Sequence, residues 1–178
     1  MKIKAIAIIL FISFSIFANS KNTLIWLSLK IPEPGIVFRS NTLLGLSTDL
    51  NLAINHNLFK LSLTYGEEFM IDPYRPALNL KEISGCYGYL WKWEYFYFDV
   101  CAGIGIEHGT FRGKDNPNAL YASESFEYIA KTTAIFKGVF NLYYTWEHFA
   151  IGAFIEPFYI GPQSGFLAGF SLNWGVFK

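Results

Sequence analysis

The sequence predicts an all-β chain, an eight-stranded antiparallel up-and-down β-barrel that crosses a membrane with its strands. Three observations carry that prediction. Charged residues make up only 16% of the 178 residues and aromatic residues 19%, whereas an ordinary soluble domain has roughly 25% charged residues. Beyond the N-terminus the apolar residues come in short pieces, none near the roughly 20 that a helical span requires. Those pieces alternate apolar and polar with the strand period of two, and their charges stay on one side.

The N-terminus reads MKIKAIAIILFISFSIFANS. Lys2 and Lys4 precede an apolar run from Ala5 to Phe17, which is too short for a transmembrane helix. Ala18-Asn19-Ser20 then supplies the small residues of a cleavage site. The pattern predicts a signal peptide over 1–20 and a single barrel domain over 21–178. Without Lys2 and Lys4, the fourteen Lys and Arg residues fall to twelve against fourteen Asp and Glu. That balance carries no electrostatic footprint for a nucleic-acid partner.

Residues 22–31, NTLIWLSLKI, supply a first strand whose facing is not evident. The stretch 46–66 folds into a hairpin near His56-Asn57. One of its faces holds Leu46, Thr48, Leu50, Leu52, Ile54, Phe59, Leu61, Leu63 and Tyr65, without a charge. The other holds Ser47, Asp49, Asn51, Ala53, Lys60, Ser62, Thr64 and Gly66. Residues 82–107 fold at Trp93-Glu94, with Ile83, Tyr87, Tyr89, Trp91, Phe96, Phe98 and Val100 to Ile106 in alternation on the apolar side. Glu82, Cys86, Gly88, Tyr95, Tyr97, Asp99, Cys101 and Glu107 lie opposite. A third hairpin, 136–156, folds at Trp146-Glu147 with Lys137, Asn141, Tyr143 and Glu156 on its polar side. The stretch 165–177 alternates Phe166, Phe170, Leu172 and Trp174 against Gly169, Ser171, Asn173 and Gly175, completing eight strands.

An eight-stranded barrel with one apolar face has two physical solutions. A secreted lipocalin-like barrel turns that face inward around a small ligand; a membrane barrel turns it outward to lipid. The polar face decides for the second. It is rich in glycine and carries isolated charges, as a narrow enclosed lumen requires. Two-residue turns would pair Lys137 with Glu156, Asn141 with Gly152 and Asp99 with Gly88. They would also make Cys86 and Cys101 direct cross-strand neighbours, which leaves both a disulfide and two buried thiols open. Trp91 with Phe96, and Tyr144 with Phe149, flank the short turns on the lipid side as an interfacial girdle.

Short turns lie near 55–58, 92–95 and 145–148, and longer connections at 32–41, 67–81, 108–127 and 159–164. This whole pattern resembles the small bacterial outer-membrane barrels of the outer-membrane protein A and X type. The resemblance covers 22–177 but includes no family motif. It implies an outer-membrane address, periplasmic short turns and extracellular long loops. Leu172-Asn173-Trp174-Gly175-Val176-Phe177 is similar to the aromatic C-terminal signal read by the barrel-assembly machinery, so 165–177 is the expected contact with it. Lys178 departs from the usual terminal Phe.

A filled eight-stranded interior argues against a general porin. The expected role is structural or surface-interacting, with loop 108–127 engaging an external partner or lipopolysaccharide among membrane lipids. The alternative is a lipid A or phospholipid acyl-modifying enzyme at the rim around His108, with Ser123 and Ser125 as candidate nucleophiles. The His-x-Ser-Asn pattern of the lipid A deacylase barrels is absent, because the local text is His108-Gly109-Thr110. Otherwise no catalytic residue, cofactor or metal site is expected. Glu107-His108 reads as a polar strand end, Asp115-Asn116-Pro117-Asn118 as turn chemistry, and His56 and His148 as solvated turn residues.

Overall fold

A computed structural model describes residues 23–37, 42–68, 79–115, 126–160 and 163–177. The signal-peptide segment and the tips of the long connections lie outside these residues. Eight strands follow in chain order: β1 (Thr23–Val37), β2 (Thr42–Ile54), β3 (Asn57–Glu68), β4 (Asn79–Lys92), β5 (Phe96–Asp115), β6 (Phe126–Thr145), β7 (Phe149–Ile160) and β8 (Gln163–Val176). Each pairs antiparallel with the next, and β8 returns to β1, for example Ile25 with Val176, so the barrel is closed. Closure leaves no strand edge unpaired.

The apolar face turns outward, the reverse of the lipocalin arrangement. Leu61, Leu63, Ile83, Ile104, Ile106, Phe136, Leu142 and Ile155 are all exposed, whereas Lys60, Ser62, Glu82, Asp99, Lys137 and Glu156 are buried. In β1 the inward residues are Leu24, Trp26, Ser28 and Lys30. The sequence held a signal for this facing, since Ser28 and Lys30 share a parity and the odd positions from Ile25 to Ile31 are all apolar.

The expected faces hold and the expected pairs do not. Around the second hairpin Lys92 pairs with Tyr97, and the Trp93 amide donates to the Phe96 carbonyl at 2.8 Å, so the tip is Glu94-Tyr95. In the third, the Trp146 amide donates to the Phe149 carbonyl at 2.7 Å around Glu147-His148. In the first, Ile54 pairs with Asn57, and Asn55 takes the left-handed φ of 58°, which asparagine tolerates in a tight hairpin. Each turn therefore lies one residue from its expected place, which moves the register by two and preserves the side-chain directions along the paired strands.

Asp99 accordingly faces Leu90 and Asn141, not Gly88; Lys137 faces Phe158, and Asn141 faces Phe154. Cys86 faces Gly103, and Cys101 faces Gly88, so the cysteines are diagonal rather than opposite. Both are free and buried. Tyr95, expected in the lumen, is exposed at the turn, 6.2 Å from Tyr144 ring to ring. The strands also overrun their expected ends: residues 108–115 and 126–127 of the expected loop 108–127 belong to β5 and β6.

Around the short-turn end the outward aromatics form a belt. Tyr89 and Trp91 lie 4.7 Å apart, Phe96 and Tyr144 5.2 Å, Tyr144 and Trp146 4.8 Å, and Phe149 and Trp174 5.8 Å, ring to ring. His56 is tied into it. Its ring stacks on Tyr89 at 5.1 Å, and Nδ1 donates to the Leu90 carbonyl at 2.9 Å, while the residue stays exposed in the turn as expected.

Candidate functional site

The lumen is built in layers. At the short-turn end Trp26 is fully buried, with its ring 6.1 Å from Tyr143 and 5.6 Å from Phe177. Tyr97 donates its hydroxyl hydrogen to the Phe177 carbonyl, and Leu24, Leu58, Leu90 and Val139 fill the remaining space. Phe177, one residue past β8, thus points into the barrel and not towards the exterior. A second apolar cluster of Leu80, Ile135, Phe154, Phe158, Ile160 and Leu167 lies towards the opposite end.

Between these clusters runs a chain of alternating charges. Lys60 lies 3.5 Å from Asp99 and 3.8 Å from Asp49. Lys30 lies 2.8 Å from Asp49 and also pairs with Glu156. Lys137 lies 3.5 Å from Glu156 and 2.8 Å from Glu82. Each of β1 to β7 contributes one member, and signs alternate along the contacts. The Lys137–Glu156 pair expected from sequence thus survives as a diagonal contact in a different register. Asp99 accepts further hydrogen bonds from Asn141 at 2.6 Å and Tyr143 at 2.8 Å, and Lys30 sits 4.8 Å from the centre of the Phe154 ring. In an enclosed space every such charge needs partners, because desolvation is otherwise uncompensated. The arrangement crosslinks the barrel from strand to strand, and the Cys101 thiol lies 3.8 Å from Asp99 at one end of the chain.

Just past the apolar exterior the outward side chains change character within one register step. Leu63, Ile83, Ile106 and Ala134 form one cross-strand row; Tyr65, Lys81, His108 and Thr132 form the next. His108 is exposed on the outer wall and shares a 2.9 Å hydrogen bond between Nδ1 and the Thr132 hydroxyl. Glu107, its chain neighbour, points the other way and is fully buried. Ser123 and Ser125, the nucleophiles of the enzymatic alternative, lie outside the described residues. Sequence reasoning passed over the row because its members are scattered over four strands and only the register aligns them.

No family model and no curated protein matches the chain. Solved structures do. The chain is similar to Neisserial surface protein A with a TM-score of 0.63 and 10% identity, over 86% of this chain and 97% of that one. It is similar to Ail, the attachment invasion locus protein of Yersinia pestis, with a TM-score of 0.56 and 10% identity, over 87% and 100%. It is also similar to the N-terminal β-barrel domain of Pseudomonas aeruginosa OprF, with a TM-score of 0.50 and 15% identity, over 86% and 97%. At such identities the likeness shows the fold. The expected resemblance to small eight-stranded barrels therefore holds for architecture.

Proposed function

We propose that this chain is an exported integral protein of the bacterial outer membrane, with a structural or surface-interacting role at its loop-bearing end. The observation that carries the reading is the inverted wall. A closed barrel has an apolar exterior and buries its charges in the lumen, and only a lipid solvent makes that arrangement favourable. The aromatic belt at the short-turn end then lies at the periplasmic interface. The Tyr65–Lys81–His108–Thr132 row falls at the level of the outer-leaflet headgroups, where Lys81 would meet the phosphate of lipopolysaccharide or another anionic lipid. Strand 165–177 is the segment offered to the assembly machinery.

Membrane fractionation with heat-dependent gel mobility tests the address. The expected result is recovery in the outer-membrane fraction and a mobility shift on boiling; recovery in the soluble periplasm overturns it. The surface role is tested by replacing 116–125, between the ends of β5 and β6, with a short Asn-Gly turn, so that the strands stay whole. Binding to outer-membrane vesicles or host-cell surfaces should fall while the mobility shift remains. Unchanged binding and unchanged envelope integrity would argue against a role for this loop.

A further inference from the structure

The buried charges of the described lumen residues do not balance. Among the described residues, Lys30, Lys60 and Lys137 are buried with five carboxylates: Asp49, Glu82, Asp99, Glu107 and Glu156. Four of the five belong to the alternating chain. Glu107 does not, and neither of its fully buried carboxylate oxygens has a hydrogen-bond partner. It is the second charge that β5 sends inward, after Asp99. The observed register sets it directly opposite Glu82 across β4 and β5, and like charges so placed repel.

A second observation at the same place points to a ligand. Ser84, the next inward residue of β4, is buried with its hydroxyl oxygen unpartnered. So is Ser62, its cross-strand partner on β3. Unpartnered buried oxygens of two types therefore line one patch of the lumen wall, beside an excess of negative charge. Buried polar groups left without partners are costly, and a bound ion or water is a usual explanation.

We propose that Glu107, Glu82 and Ser84 hold a hard divalent cation, for which calcium is the natural probe. A double positive charge cancels the surplus of two carboxylates. Lys137 already lies 3.5 Å from Glu156 as well as 2.8 Å from Glu82, so a cation drawing on Glu82 leaves the lysine paired. Among the described residues no group of three His, Cys, Asp or Glu side chains is placed to hold a metal. The remaining positions fall to hydroxyl and water oxygens, which suit calcium and disfavour zinc. With two carboxylates the affinity belongs with weak extracellular sites, at a dissociation constant of about 0.1–1 mM.

The test is calorimetric titration of Ca2+ into the folded full-length barrel in a non-ionic detergent. One ion per barrel is expected in the wild type. Glu107→Gln should weaken binding at least about tenfold, which removes one of the two charged ligands, whereas Glu67→Gln, at an exposed carboxylate, should leave it unchanged. In EDTA the Glu107→Gln barrel should resist urea better than the wild type, since the unpaired charge is gone. Should Glu107→Gln fail to fold, Ser84→Ala supplies the comparison and should weaken binding about threefold or more. Absence of saturable binding by the wild type at about 10 mM Ca2+ overturns the proposal. Binding that persists unchanged in Glu107→Gln and Ser84→Ala places the ion elsewhere and overturns it too.

Discussion

The two faces of this wall are made by the same strands and obey different rules. On the outside, Leu61, Ile83, Ile104, Phe136 and Ile155 are exposed, and on the membrane reading they need only be apolar, because lipid is fluid and adapts to their shape. On the inside, Lys30, Asp49, Lys60, Asp99, Lys137 and Glu156 each depend on a particular partner on another strand. Outer positions are therefore interchangeable in kind, and inner positions are specified one by one. Stability resides in the pairing and packing of the lumen, and solvation in the exterior.

The sharpest break in that comparison comes from removing an inner charge. Lys30 bridges Asp49 and Glu156, so Lys30→Met leaves two carboxylates short of a counterion in the middle of the chain. Breaking a buried pair from one side costs about 3–5 kcal/mol. The midpoint of urea unfolding in detergent or lipid should fall accordingly. Adding Asp49→Leu to Lys30→Met should restore part of the loss, because the second change removes one stranded charge. A loss below about 1 kcal/mol, the range of exposed ion pairs, would show that water in the lumen screens the charges and that the inner face is not specified as argued.

The next test introduces a charge on the outer face and reads its depth. Leu61 lies well inside the apolar exterior, in the row with Gly85, Ile104 and Phe136, whereas His108 belongs to the polar row beyond Ile106. On the membrane reading, Leu61→Arg should cost about 2–4 kcal/mol in lipid and His108→Arg about 0–1. Equal costs at the two positions would remove the boundary on which headgroup contact by Lys81 and His108 rests. Equal costs in detergent alone would not, since a micelle adapts to either. Unfolding must be followed in bilayers.

What the sequence made legible was parity. Alternation in 46–66, 82–107 and 136–156 assigned Lys60, Asp99, Lys137 and Glu156 to one side and Leu61, Phe98 and Ile151 to the other, because a period of two fixes direction without fixing pairing. Register depends on the turn. Trp93-Glu94 and Trp146-Glu147 carry no residue with special turn chemistry, so nothing local showed that the tips fall one residue later. Asn55 did carry such a signal, as a residue tolerant of left-handed φ. The couple at Glu82 and Glu107 was out of reach for the same reason, because the expected turn sets Leu80 opposite Glu107. The polar row at His108 is likewise a product of register across β3 to β6, and no single strand contains it.

The smallest test uses one hairpin and two glycines on opposite faces. Gly85 points outward, and a Cβ added there would meet nothing within 4 Å. Gly103 points inward, and a Cβ there would come within 2.3 Å of Cys86 Sγ and 2.5 Å of the Gly85 carbonyl oxygen. Gly85→Ala should therefore be neutral or gain up to about 1 kcal/mol by restricting the unfolded chain. Gly103→Ala should lose about 1–3 kcal/mol through overpacking. Cys86→Ala on the Gly103→Ala background should recover only part of that loss, because the thiol can be removed and the backbone carbonyl cannot. Full recovery would make the thiol the sole obstacle. Equal tolerance of alanine at both glycines would mean that the lumen is looser than its charge pairing requires, and the two faces would then differ in polarity alone.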